Sequence, residues 1–160
     1  MNDVTADFGS DTAEFTAPVL PPPVTRGDLA IMGGLKAVQR LAEQIVHAAI
    51  EMGCSSRDAF HSRLALEEAL ANAVKHGNKY DAEKAVHVKY EVDAEGMLVT
   101  IQDEGDGFDQ SAVPDPTDEE NIERANGRGV FLMDQFMDSV EYNDIGNCVT
   151  VRKKWSQPES

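Results

Sequence analysis

The apolar residues of this 160-residue chain change their spacing part-way along it, and that change restricts the folds open to it. From Leu35 to Met52 they recur at three- and four-residue steps, through Val38, Leu41, Ala42, Ile45, Val46 and Ala49. That spacing describes an amphipathic helix, and Gly53 stops it. Ser55 and Asp58 then stand in capping-box spacing and open a second helix over about 56–76, stopped by Gly77. Leu66, Leu70, Ala73 and Phe60 are expected on its buried side. Beyond it the period falls to two. Residues 86–92 and 97–102 alternate, and Asp93-Ala94-Glu95-Gly96 between them predicts an antiparallel hairpin. A helix over about 129–137 and two strands, 139–142 and 148–153, turned through Asn143, Asp144 and Gly146, complete the order. The pattern predicts an α+β fold: a two-layer sandwich whose mixed or antiparallel sheet is covered on one face by helices.

A chain of this length builds one domain with a real core and is too short for two ordinary ones. Residues 1–25 carry Asp3, Asp7, Asp11 and Glu14, four prolines and no Lys or Arg. Such a composition cannot offset its ordering entropy by burial, so a disordered tail is expected there. The folded domain is expected over 26–156, with Asp28–Met32 as the candidate first strand and 157–160 as a short tail. From Asp103 to Asn126 a polar stretch punctuated by Pro and Gly is long enough to be a lid.

The formal net charge is -15, from 29 acidic and 14 basic residues. Phosphate-backbone binding needs clustered Lys and Arg, so direct nucleic-acid binding is not expected, whereas basic protein partners are favoured. Cys54 and Cys148 lack disulfide-framework or metal spacing and read as reduced packing residues of a cytoplasmic protein. No signal peptide and no membrane-spanning run is predicted.

Three short segments carry chemistry. On the second helix Glu68 and Asn72 lie four residues apart and share a face. The Asn amide oxygen is a hard ligand for Mg2+ bridging substrate phosphates, and the carboxylate is able to take a proton from an attacking hydroxyl. Alone, the pair reads more readily as a solvated helix face. At the end of the 97–102 strand, Asp103 is placed to accept a hydrogen bond from an exocyclic amino group such as that of adenine. Gly105 and Gly107 allow close backbone approach to a planar base, or simply an ordinary turn. Finally, Gly127 and Gly129 flank Arg128 before a helix, an arrangement that suits phosphate and suits a tight turn as well.

Taken together and in order, the segments EEALANAVKHGN, VTIQDEGDGFD, PDPTDEENIE and GRGVFLMDQFMDSVEY resemble the anti-sigma factor serine/threonine kinases of the RsbW and SpoIIAB type. These belong to the superfamily of gyrase, histidine kinase and MutL ATPases, and the resemblance runs over about 35–154. It implies a histidine kinase-like (Bergerat) ATPase fold that binds ATP and Mg2+. It implies Glu68 as catalytic base, Asn72 as Mg2+ ligand and Asp103 as the group holding the adenine amino group. Gly105 and Gly107 would shape the base pocket, and Gly127, Arg128 and Gly129 would hold phosphates. Lys75 and His76 are expected in structural or supporting roles near the pocket.

The implied activity is transfer of the γ-phosphoryl group to a serine of a STAS-domain anti-sigma factor antagonist, alternating with sequestration of a sigma factor. A homodimer is implied as well. A non-catalytic ATP-binding interaction module and a detached histidine kinase catalytic domain are the alternatives.

Overall fold

The computed structural model describes residues 23–107 and 133–156. The expectations for residues 1–22, the lid, Gly127, Arg128, Gly129 and the last four residues lie outside them. Strand β1 (Thr25–Ile31) leads into helix α1 (Gly34–Glu51), helix α2 (Ser56–Asn72) and a π-helical turn (Ala73–Gly77). Strands β2 (Val86–Val92), β3 (Gly96–Gln102), β4 (Ser139–Tyr142) and β5 (Cys148–Lys154) follow. A helical turn at 133–136 precedes β4.

All pairings are antiparallel, in the order β1-β2-β3-β5-β4. Alternation decides which face is buried. Val88, Ile101 and Val149 stand opposite one another across three strands, as do Val99 and Val151 one step along. These five are almost fully buried in one core with the apolar faces of α1 and α2. The other face carries His87, Lys89, Glu91, Gln102 and Arg152, all exposed. The first strand begins at Thr25 and ends at Ile31, slightly ahead of the expected Asp28–Met32. Gly27 pairs with Tyr90, whose ring lies over it where a Cβ would otherwise sit.

The helix punctuation holds at Gly53 and Ser55, α2 ends at Asn72 rather than at about 76, and two side-chain expectations are exceptions. Gly53 has φ +97, and Cys54 donates its N–H to the Ala49 carbonyl (3.1 Å), a left-handed C-terminal cap. Ser55 accepts the Asp58 N–H at 3.0 Å, as a cap does. Asp58, however, does not reach back as a capping box would. Its carboxylate accepts the Ser156 N–H and hydroxyl, each at 2.7 Å, and lies 3.8 Å from the Lys153 ammonium. Phe60 is the second exception. It was expected in the core but is 59% exposed. At about 100° per residue, the buried stripe through Ala59, Ser62, Leu66, Ala69 and Ala73 leaves Phe60 on roughly the opposite side.

Asp58, Lys153 and Ser156 therefore tie the end of the sheet to the start of α2, with Asp58 4% exposed. Burial raises the Asp58 pKa, but the Ser156 hydroxyl and amide, Lys153 and Ser55 more than offset it, leaving the group below its ordinary value. A carboxyl that is more acidic folded than unfolded stabilises the fold above its unfolded pKa and loses that contribution as pH falls through the folded one. We expect Asp58→Ala to cost about 3 kcal/mol at neutral pH. In urea melts the deficit should narrow below about pH 4. A deficit independent of pH would show that the carboxylate charge does not hold this corner.

Candidate functional site

Helix α2 does not simply stop at Gly77. After Asn72 the backbone widens into the π turn, and the Asn78 N–H donates to the Ala73 carbonyl five residues back at 2.8 Å. Such widenings are rare and gather at functional sites. Here the turn pushes the Gly77 backbone against the loop that follows β3. A Cβ on Gly77 would overlap the Asp103 carboxyl, and a Cβ on Gly105 would overlap the Gly77 carbonyl. Gly107, at φ +84, lies so close to the Ile145 carbonyl that a side chain has no room. The space freed by Gly105 and Gly107 is thus taken up by neighbouring backbone.

The loop between β4 and β5 closes the other side. Asn143 Oδ1 accepts the N–H groups of Gly146, Asn147 and Cys148 at 2.9, 3.0 and 3.2 Å. The Asn147 carbonyl then accepts the Asp103 N–H at 2.9 Å. Asp103 is held from the other direction too, since its Oδ1 accepts the Gly105 N–H at 2.8 Å.

Between these elements opens a cleft of about 120 Å³ that is partly open to solvent. Ala69, Ala73, Ile101, Met133 and Val149 supply apolar surface, suited to the faces of a planar ring. Asn72, His76, Asp103 and Tyr142 supply polar groups. Burial raises the pKa of Asp103, with the Gly105 N–H and Lys84 pulling the other way. Burial, and then Lys75, lower that of His76 and favour its neutral imidazole. Burial followed by the Asp134 charge pushes the Tyr142 phenol far up, so it stays a neutral hydroxyl.

Of the residues singled out in the sequence, Asn72, Asp103 and Gly107 line this cleft, and Gly105 packs behind it. Glu68, half-buried one turn before Asn72 on α2, is not among the described lining residues. The phosphate-end residues Gly127, Arg128 and Gly129 lie outside the described residues. Three contributors were not recognised in the sequence. Gly77 reads there as a helix stop, and Cys148 as mere packing, yet Cys148 lines the cleft with its thiol pKa raised by burial and then by Asp103. The third is Asn78, 3% exposed, whose signal was a polar residue directly after the helix-ending glycine.

A family profile described as the histidine kinase-like ATPase domain matches residues 34–153. The serine-protein kinase RsbW of Staphylococcus epidermidis is 33% identical over 109 residues, covering 63% of this chain and 69% of the relative. The serine-protein kinase RsbW of Staphylococcus aureus strain Newman is 30% identical with the same coverage.

Proposed function

Because this chain belongs to the histidine kinase-like ATPase domain family, we propose that it is a protein-serine kinase that binds ATP in the cleft between α2 and β3. One observation supports this reading above the others. Gly77 against Asp103, then Asn72, then Glu68 follow one another back along α2, in the same order as purine, phosphates and reacting group along ATP. At 1.5 Å per residue, Glu68 stands about 6 Å beyond Asn72, on the side away from the purine end.

In this reading the Asp103 carboxylate accepts a hydrogen bond from the adenine amino group, with Gly105 and Gly107 shaping the turn behind it. The amide oxygen of Asn72 suits Mg2+, a hard cation that takes few protein ligands and many phosphate and water oxygens. When bound, Mg2+ neutralises charge developing on the phosphates. Glu68 takes the proton of the attacking serine hydroxyl, and the amides of Gly127 and Gly129 with Arg128 hold the phosphates. The protein substrate in this proposal is a STAS-domain antagonist, and the alternative partner is a sigma factor held inactive by a cytoplasmic homodimer. The net charge of -15 favours partners with basic faces. No helix among the described residues is long and apolar enough to cross a membrane.

The direct test is incubation with γ-labelled ATP, Mg2+ and a purified STAS domain. Acid-stable label on a serine is the expected result, and an unlabelled STAS domain would remove the kinase assignment. We also expect Asn72→Ala to lose transfer while still binding adenosine, which isothermal titration separates from turnover. Loss of adenosine binding would place Asn72 at the purine end instead.

A further inference from the structure

One buried side chain joins the two elements that carry the proposed ligands, and it belongs to neither. The Asn78 carboxamide accepts the Glu104 N–H on Oδ1 at 2.7 Å and donates from Nδ2 to the Ala85 carbonyl at 3.0 Å. Through its own backbone it also closes the π turn that follows Asn72. Glu104 is the residue after Asp103, so the amide that Asn78 holds is the one leaving the Asp103 carbonyl. Asp103 is consequently pinned on both sides along the main chain, by Asn147 before it and by Asn78 after it. The Glu104 carboxylate adds a second strut, accepting the Ala85 N–H at 3.2 Å and facing His87 Nε2 at 2.9 Å.

These contacts form a closed loop from the end of α2 through Asn78 to β3, and back through Gly77 packed on the Asp103 carboxyl. We propose that Asn78 is a positioning residue for the purine end of the site, setting where the Asp103 carboxylate points relative to α2. The inference rests on the nucleotide reading above. It gives Asn78 an effect on base selection rather than on the phosphates. An amide is suited to the position because it offers a donor and an acceptor at once, and both of its partners are main-chain groups that no rotamer change can supply elsewhere. Removing the acceptor leaves the Glu104 N–H without its partner and frees the Asp103 turn to shift; a shift of a hydrogen-bonding group weakens recognition steeply.

The experiment compares ATP with ITP, in which a carbonyl replaces the amino group, by titration of the full chain carrying Asn78→Ala or Asn78→Asp. Asp keeps the acceptor for Glu104 and loses the donor for Ala85. The wild type is expected to prefer ATP. Asn78→Ala should erase about tenfold of that preference. Asn78→Asp should keep most of it, although its thermal midpoint also falls. An Asn78→Ala protein that is folded by circular dichroism and retains the wild-type ATP-to-ITP ratio would overturn the positioning role alone. Equal loss of preference in both variants would overturn it as well, because the retained acceptor would then do nothing. If Asn78→Ala does not fold, Asn78→Asp decides alone: a folded Asp variant that keeps most of the preference supports the role, and one that loses it overturns it. A wild type that binds neither nucleotide would overturn the site itself and this role with it.

Discussion

Replacing Glu68 with Gln is expected to slow phosphoryl transfer to a protein serine by about 10²–10⁴-fold, the usual contribution of a positioned general base. ATP affinity should change little, because Glu68 stands a helical turn beyond Asn72 and is not among the described residues that line the cleft. Single-turnover labelling of a STAS domain, set against direct titration of ATP, checks both halves. Parallel losses of binding and transfer would mean that Glu68 supports the pocket rather than the reaction. Unchanged transfer would move the base to another residue.

Substitution of Gly77 by Ala is expected to weaken ATP binding about a hundredfold, the scale of a displacement of roughly 1 Å in a reacting or binding group. The added Cβ would overlap the Asp103 carboxyl, and Gly105 in turn packs on the Gly77 carbonyl, so neither neighbour is free to give way. Elsewhere in the chain the same change would be mild: Cβ atoms on Gly34 or Gly53 meet nothing within 4 Å, although positive φ values of 75° and 97° still penalise them. Titration with ATP and a thermal melt separate the outcomes. A variant with the wild-type melting point and lost ATP binding is the expected result. Wild-type affinity would show that the Gly77–Asp103 contact is not what orients the carboxylate.

Much of the fold was legible because its signals are local. The periods of α1, β2 and β3 predict their elements within a residue or two, and that of α2 predicts its start, since each buries one face and the pattern needs no partner to be read. Gly53 and Ser55 mark helix ends through their own conformation and hydroxyl. Two readings made from the same local logic did not hold. Phe60 was assigned to the core by its apolar character, but the stripe through Ser62 and Leu66 turns it to solvent. Asp58 was assigned to a capping box by spacing, but Ser156, distant in sequence, takes its carboxylate. The first is corrected by the helical phase itself, and the second comes from a partner that spacing alone does not reveal.

The candidate site divides in the same way. Asn72, Asp103 and the glycines after it were recognisable as residue types at the ends of an apolar helix and an apolar strand. The sequence by itself determined that a helical run is stopped at Gly77, that β3 ends just before Asp103, and that both ends carry polar residues and glycines. Only the tertiary structure decided that the two ends meet. The π turn redirects Gly77 toward the sheet, and Asn143 fixes the turn whose Asn147 carbonyl holds Asp103. Asn78, read as one more polar residue after a helix, then becomes the bond between the helix and the strand. The reason is physical. Periodicity and capping follow from each residue's own backbone and neighbours, whereas a cleft depends on which distant main-chain groups come within hydrogen-bonding reach once the core has packed.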